Sequence, residues 1–349
     1  EQLYLKDLPL LLQATEFNGH CTLLKGRSNY LCSERLNRFM LETRFKQPNV
    51  HDELVTIKNW SLSTATGDIA EVDNLAEDAM VIPSITSNND NCLGKECPSF
   101  EGCFVVKARA KAMEADVIVI NHHLFFADLA VKETGFGRLM PDADVYIFDE
   151  AHQLPDIASQ YFGESLSSKQ LTELAKEIDF VYRTELKEAK QMAKAAEQLR
   201  AAALDFRLAF AMEKGSGSWR DKSKDRALQL HVVRLRQVLA FLKQVITERL
   251  GKSEVLDHCF DKINQYSLLF ERLNETHESG SSYWFECSKQ HFSLNITPLS
   301  VATRFQSECE KKTASWIFTS ATLSVKGKFN HFTDQLGLLS AECMLLNSP

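Results

Sequence analysis

Short apolar runs recur along the chain, and each is bounded by polar sequence. They cover residues 20–24, 117–120, 145–148, 283–286 and 315–319. Runs of this length that are rich in β-branched and aromatic side chains predict strands. The runs at 117–120 and 145–148 are apolar throughout, which predicts buried strands of a parallel sheet.

Residues 160–275 have a helical composition instead. Ala, Glu, Lys, Gln and Leu dominate residues 168–213, whereas the Gly-Ser-Gly-Ser sequence at 215–218 predicts a flexible turn. A second long helix is predicted by apolar residues at helical spacing, namely Leu228, Val232, Leu235, Val238, Leu239, Leu242, Val245 and Ile246. The pattern therefore predicts an all-helical insertion between strand-forming segments.

The first 120 residues mix both patterns. A helix followed by a strand is predicted for residues 1–27, a further helix extends to about Phe45, and a basic helix is predicted for residues 104–115. Between these helices, residues 46–91 are polar and show little hydrophobic periodicity. This segment is therefore expected to form a poor core.

Composition and charge narrow the possible classes of protein. A chain of 349 residues exceeds one typical core, so two or more domains are expected. The net charge is −7, but residues 61–91 carry six acidic and no basic side chains, whereas residues 181–260 carry 16 basic and 10 acidic ones. The basic excess fits either a solvated helix face or the wall of a nucleic-acid channel. Without an apolar run of membrane-spanning length or a signal-peptide pattern, the protein is expected to be soluble and cytoplasmic.

The apolar run at 145–148 leads directly into Asp149 and Glu150, which Ala151 and His152 follow. Parallel sheets bind ligands at the carboxyl ends of their strands. In nucleotide hydrolysis, a first carboxylate at such a position holds Mg²⁺ and a second orients or deprotonates the attacking water. The alternative interpretation is a strand followed by a charged loop.

Four of the nine cysteines have a spacing that suits a metal site. Cys92, Cys97 and Cys103 are separated by four and five residues, and 59 residues separate Cys32 from Cys92. Four thiolates satisfy either a [4Fe–4S] cluster or a structural zinc ion. Zinc sites favour two paired cysteine turns, so one cysteine followed by three favours iron–sulfur. Core cysteines without any metal are the remaining alternative.

A third pattern follows the last apolar run. Ser320, Ala321 and Thr322 place two small hydroxylated residues at the end of a predicted strand. Such side chains can relay hydrogen bonds between a nucleotide site and a neighbouring groove. The tripeptide alone is a weak signal, and it gains weight from the Asp-Glu-Ala-His sequence upstream.

Together, Asp149-Glu150-Ala151-His152, Ser320-Ala321-Thr322, the run from Lys25 to Cys32 and the four cysteines resemble the DinG/XPD family of iron–sulfur superfamily 2 DNA helicases, in its bacterial DinG/YoaA branch. The first motif resembles the Walker B box and the second resembles helicase motif III. The resemblance implies an α/β fold in which a partial RecA-like parallel sheet carries two insertions. The expected ranges are 1–27, 111–160 and 281–349 for the first motor domain, 28–110 for the iron–sulfur domain and 161–280 for a helical Arch domain.

The resemblance also implies roles for individual residues. Asp149 would bind Mg²⁺, Glu150 would activate water for ATP hydrolysis, and His152 would connect this site to motif III. The remaining implied site residues are Ser320 and Thr322 in motif III and the cluster ligands Cys32, Cys92, Cys97 and Cys103. Candidates for phosphate contact and base stacking are the nearby Arg27, Tyr30, Lys107 and Arg109.

The implied function is ATP-dependent 5′→3′ movement along single-stranded DNA in repair or replication. ATP, single-stranded DNA, fork or flap junctions and replication or repair proteins are the expected partners. The sequence contains no G-x-x-x-x-G-K-[ST] loop to cradle phosphates, and the family's second motor domain is expected outside this chain. The chain alone is therefore not expected to hydrolyse ATP.

Two alternatives to the iron–sulfur helicase stay open. One is a zinc-stabilised helicase or nuclease relative. The other is a non-catalytic module that binds single-stranded nucleic acid, which the missing phosphate-binding loop favours.

Overall fold

The computed structural model describes residues 2–43, 48–73, 75–76, 78–88, 91–133, 139–210, 215–275 and 279–346. The chain divides into two compact units, residues 1–144 and residues 145–349. Both units combine helices with parallel strands, which confirms the predicted α/β class. In the described part of the chain, no helix is long and apolar enough to cross a membrane.

The first unit contains two short parallel strands, β1 (Cys21–Leu23) and β2 (Val117–Val119), which pair from Cys21 opposite Val117 to Leu23 opposite Val119. Both strands lie where the apolar runs predict them. A π-helix, Leu3–Asp7, precedes α1. The α-helices of this unit are α1 (Leu8–Ala14), α2 (Ser33–Thr43), α3 (Pro48–Trp60), α4 (Ile82–Ile85), α5 (Phe104–Met113) and α6 (His122–Glu133).

The polar segment expected to form a poor core in fact contributes to one. Its buried apolar side chains come from α3, α4 and the intervening loop, and they pack against α2 and α5. The buried members of this cluster are Tyr30, Leu31, Leu36, Leu54, Ile57, Ile69, Val72, Val81, Ile85 and Phe104. The prediction was wrong because these residues are scattered along the sequence and meet only in the folded unit, so no local period reveals them.

Close backbone packing connects this segment to the stretch before α2. Leu31 donates its backbone N–H to Gly67 O over 2.8 Å, and Cys32 donates to Ile85 O over the same distance. Gly67 has a φ of +67°, and a Cβ atom there would lie 2.1 Å from the Phe104 ring. Glycine is therefore required at residue 67 both by its backbone conformation and by the adjacent aromatic ring.

The second unit begins with β3 (Val145–Phe148), which pairs in parallel with β8 (Ser315–Phe318). On one face of this pair the Tyr146 and Trp316 rings stack at 4.4 Å between centroids. A 3₁₀ turn, Ala151–Gln153, follows β3. The helices that flank these two strands along the sequence are α7 (Leu154–Tyr161), α13 (Ala302–Glu310) and α14 (Asn330–Leu336).

On the opposite face of the strand pair, apolar side chains are exposed within the part of the chain that the structure describes. Val145, Ile147 and Ile317 are 48%, 68% and 44% exposed. The predicted strand is thus correct in position, but its side chains on this face are exposed and not buried. A continuous apolar run specifies that a strand can be buried, and it does not specify which structure covers each face.

The inserted region is built on four long helices, α8 (Ser168–Thr184), α9 (Lys190–Leu208), α11 (Arg226–Thr247) and α12 (Glu254–Glu275), with the short α10 (Trp219–Lys222) between α9 and α11. The predicted second long helix is confirmed as α11. All its predicted core residues are buried except Val238, which is half-buried against the same core. A capping box starts α8, since Ser167 and Gln170 each accept the other's backbone N–H.

A four-stranded antiparallel sheet completes this region, so the all-helical prediction is wrong. Its strand order is β4 (Glu164–Ser167), β7 (Phe292–Pro298), β6 (Ser281–Cys287) and β5 (Gly215–Ser218). The Gly-Ser sequence predicted as a flexible turn is the edge strand β5. Strands β6 and β7, expected to return to the motor sheet, pair with β4 and β5 and share the helices' core.

Candidate active site and candidate metal centre

The Asp149-Glu150 pair lies at the carboxyl end of β3, where the backbone makes a tight turn. Thr319, the residue after β8, donates its N–H to Phe148 O over 2.8 Å, and its carbonyl accepts from Ala151 N over 3.0 Å. These two hydrogen bonds bracket the two carboxylates. Between them, Glu150 adopts a left-handed conformation with a φ of +49°.

A left-handed glutamate is unusual, because side chains with a Cβ atom rarely adopt a positive φ. Such conformations cost on the order of 1–3 kcal/mol and occur at functional sites, where surrounding contacts maintain them. Here the bracketing hydrogen bonds from Thr319 supply those contacts. The turn directs both carboxylates to the surface, since Asp149 and Glu150 are exposed.

The Ser320 hydroxyl is the centre of a hydrogen-bonded network. It donates to Glu150 Oε2 over 3.1 Å and lies 2.9 Å from His152 Nδ1, which is itself 3.1 Å from Glu150 Oε2. Because the hydroxyl has one proton and gives it to Glu150, its contact with His152 requires a proton on Nδ1. Thr322 completes the network by donating its N–H to Ser320 Oγ over 3.2 Å.

Asp149 is held by a different hydroxyl. The Thr319 Oγ1 atom lies 3.2 Å from Asp149 Oδ1 and 3.3 Å from Phe148 O. The structure thus brings the five predicted catalytic residues, Asp149, Glu150, His152, Ser320 and Thr322, to one end of the β3–β8 pair. Thr319 is a further residue of this site that the sequence motifs do not reveal. The signal for it is the strand register, because the position after Phe318 lies opposite the position after Phe148.

The four predicted thiol ligands all belong to the first unit, and each is half-buried. Burial raises the pKa of the Cys32 thiol, and the neighbouring Cys97 and Cys92 raise it further. Burial likewise raises the pKa of the Cys97 thiol, with added contributions from Glu34, Cys92 and Cys103. The electrostatic interactions therefore connect all four thiols, although 59 residues separate the first from the second.

The same thiols are not gathered around a point. Among the described residues, no three His, Cys, Asp or Glu side chains are arranged to hold a metal ion. A Zn–S bond of 2.3 Å in tetrahedral geometry requires sulfur atoms about 3.8 Å apart. The described residues therefore show no preformed site for a single metal ion at these thiols.

The predicted nucleic-acid residues lie in different environments. Tyr30 is 4% exposed, and its hydroxyl accepts the Lys25 N–H over 3.1 Å. Burial lowers the pKa of Arg109, and the positive charge of Arg27 lowers it further. Lys107 is exposed, with its Nζ atom 5.5 Å from the centroid of the Phe104 ring. The buried Tyr30 ring offers no face to a base in this conformation.

No protein-family model matches the chain. It is 49% identical over its whole length to the ATP-dependent DNA helicase YoaA of Escherichia coli, of which it covers 55%, and 47% identical to YoaA of Haemophilus influenzae, also covering 55%. It is 24% identical over its whole length to the ATP-dependent DNA helicase DinG of Photobacterium profundum, covering 57%. The chain spans about half the length of the curated relatives it matches.

Proposed function

The chain belongs to the DinG/YoaA family of helicases, and from this premise we propose that the full-length protein is an ATP-dependent DNA helicase that moves 5′→3′ along single-stranded DNA in repair or replication. One observation carries this proposal. The Ser320 hydroxyl is hydrogen-bonded to both Glu150 and His152, so residues of the Asp-Glu-Ala-His sequence and of motif III form one network. Hydrolysis at one segment can thereby affect the position of the other.

The site residues divide the work of ATP hydrolysis. Asp149 would hold Mg²⁺, which neutralises charge on the phosphates when bound. Glu150 orients the attacking water and accepts its proton, since its carboxylate is exposed and fixed by Ser320. His152 and Ser320 keep that carboxylate in place. A change in its charge during hydrolysis alters the hydrogen bond that it accepts from Ser320 and, through Ser320, the contact with Thr322.

The proposal is tested by measuring ATP turnover and duplex unwinding in the full-length protein. ATP hydrolysis should rise when single-stranded DNA is added, and a duplex with a 5′ tail should be unwound in preference to one with a 3′ tail. The 349-residue chain alone should show no turnover because it lacks a phosphate-binding loop. Full-length protein without DNA-stimulated turnover would contradict the helicase function, and a 3′-tail preference would contradict the direction.

The thiol set supports a [4Fe–4S] cluster as the cofactor of the first unit. The pKa of Cys32 is raised by Cys92 and Cys97, and that of Cys97 by Cys92 and Cys103, so the charges of these thiols affect one another. One cysteine followed by three along the sequence favours an iron–sulfur cluster over the paired cysteine turns typical of zinc. Cys32, Cys92, Cys97 and Cys103 would hold it. The cluster would crosslink the start of α2 to the loop before α5, which supports the surrounding fold.

Anaerobically purified protein tests this assignment. It should be brown, with four iron and four sulfide per chain on the stoichiometry of such a cluster. Cys97→Ser should lose the colour, whereas Cys259→Ser, which alters a thiol buried in the other unit, should retain it. A colourless protein with stoichiometric zinc after iron-replete expression would replace the cluster with the zinc alternative.

Arg27, Arg109 and Lys107 are proposed to bind the single-stranded DNA. Tyr30 is not included because its side chain is buried. The positive charge of Arg27 lowers the pKa of Arg109, so an anionic phosphate bound near both would relieve their repulsion. Replacing one of them by Gln should weaken binding to all DNA sequences and reduce the salt dependence by about one counterion. The proposed DNA substrates include fork or flap junctions, and the proposed protein partners are replication or repair proteins. The proposed location is the cytoplasm.

A further inference from the structure

Thr319 has contacts that none of the roles assigned above uses. Its backbone brackets the Asp149-Glu150 pair, with its N–H bonded to Phe148 O and its carbonyl bonded to Ala151 N. Its side chain is therefore fixed in position relative to the carboxyl end of β3. Because threonine is β-branched, few χ1 rotamers are available to it, and the direction of its hydroxyl is restricted as well.

That hydroxyl is directed at the first carboxylate. Oγ1 lies 3.2 Å from Asp149 Oδ1 and 3.3 Å from Phe148 O, so its one proton is shared between the two acceptors and the charged carboxylate is the stronger of them. The terminal torsion of an aspartate is otherwise broad and nearly two-fold, so an unsupported carboxylate at the surface samples many orientations. A donor held by two backbone hydrogen bonds at the end of β8 restricts this sampling, and the described contact uses Oδ1 and not Oδ2.

We propose that Thr319 is a positioning residue that orients the Asp149 carboxylate for a divalent cation; this inference rests on the proposed function. Mg²⁺ requires nearly ideal octahedral geometry at 2.0–2.1 Å and is sensitive to the direction of each ligand oxygen. Hydrogen-bond partners of ligating carboxylates typically change metal affinity by 10- to 100-fold when removed. Thr319 is exposed, so an effect of about tenfold is expected.

Two adjacent hydroxyl groups thus contact the two carboxylates, one each. Thr319 contacts Asp149, whereas Ser320 contacts Glu150 and His152. Loss of the Thr319 hydroxyl should weaken cation binding, and turnover should recover when the cation is saturating. Loss of the Ser320 hydroxyl should lower turnover at every cation concentration, because it acts on the residue that orients water.

The test is a titration of full-length protein with Mn²⁺ in the presence of ADP, in which electron paramagnetic resonance reports the free ion. Thr319→Val removes the hydroxyl and keeps the branched shape, Thr319→Ser keeps the hydroxyl, and Thr313→Val makes the same change just before β8. Thr319→Val should bind Mn²⁺ about tenfold more weakly, with Thr319→Ser and Thr313→Val within about twofold of wild type.

A double-mutant cycle separates positioning from general damage. In an Asp149→Asn background, Thr319→Val should cause no further loss of Mn²⁺ affinity, since the group that it positions is already altered. Equal affinity of wild type and Thr319→Val would overturn the inference, as would an undiminished additional loss in the Asp149→Asn background. If the affinity pattern is as expected but the wild type shows no DNA-stimulated ATPase, the proposed function fails and the positioning role stands.

Discussion

The inserted helices and the β3–β8 strand pair belong to the same compact unit, yet they are stabilised differently. The insertion encloses a continuous core in which Phe206, Trp219, Phe270 and many aliphatic side chains are fully buried. The strand pair buries one aromatic face and exposes the other. It also ends in a left-handed glutamate.

This difference indicates that the insertion contributes mainly to the stability of the unit and that the strand pair contributes mainly to its function. The insertion has a closed hydrophobic core of its own. Its stability should therefore depend on the volume of the core side chains and on its buried ion pairs. The strand pair keeps its carboxylates exposed in a strained turn, which favours ligand binding over stability. Changes in the first region should therefore alter unfolding, while changes in the second should mainly alter chemistry.

The largest effect is expected for Phe206→Ala in α9. Phe206 is fully buried and packs against Phe292, with 4.8 Å between ring centroids. Removing a buried Phe ring typically costs about 3–5 kcal/mol of stability. Hydrogen exchange in α9 and α12 should accelerate accordingly. The matched control, Leu204→Ala on the exposed side of the same helix, should change stability by no more than about 0.5 kcal/mol, and equal effects of the two variants would contradict a closed core.

A somewhat smaller loss is expected for Lys262→Met. Lys262 Nζ lies 2.6 Å from Glu177 Oε2, and the Cys259 thiol donates to the same oxygen over 3.6 Å. Both charged side chains are nearly buried, so removing the lysine leaves a carboxylate without its cation and should cost about 3 kcal/mol. Urea unfolding monitored by circular dichroism measures this change.

A second substitution at the Lys262–Glu177 pair tests whether the unpaired charge causes the loss of stability. Adding Glu177→Leu to Lys262→Met should recover most of the lost stability, because no buried charge then remains. The exposed pair Lys176–Glu173 provides the control, and Lys176→Met should change stability by about 0.5 kcal/mol or less. A double variant as unstable as the single one would show that packing, and not charge, governs this site.

The smallest effect is expected in the strained turn. Glu150→Gly and Glu150→Ala both remove the carboxylate, but only glycine adopts a φ of +49° without steric cost. The glycine variant should be about 1 kcal/mol more stable than the alanine variant, a shift of about 3 °C in Tm for a unit of this size. Equal Tm values would indicate that the turn is unstrained.

The strands and the second long helix could be predicted from the sequence because their patterns are local. The apolar run 145–148 and the helical spacing in α11 each lie within one segment. The paired carboxylates and the hydroxyls after β8 were recognised for the same reason, since each follows an apolar run directly. Their union in one network depended on the parallel register of β3 and β8.

The features that the sequence does not reveal depend on contacts between distant residues. Strand β5 has a glycine- and serine-rich sequence with little strand propensity, and it forms because β6 supplies its hydrogen bonds. Strand β4 pairs with β7, and Ser167 lies opposite Ser293 although more than 100 residues intervene. Thr319 resembles any strand-end threonine until the register places it beside Asp149.

The most direct test of the central claim is Glu150→Gln in the full-length protein. This change keeps the size of the side chain and removes its ability to accept a proton, while Asp149 and Thr319 are unaltered. DNA-stimulated ATP turnover should fall by at least about 100-fold with ATP binding retained, and Glu286→Gln, on the exposed side of β6, should behave as wild type. Near-normal turnover in Glu150→Gln would contradict the assignment of the β3–β8 site as the centre of ATP hydrolysis.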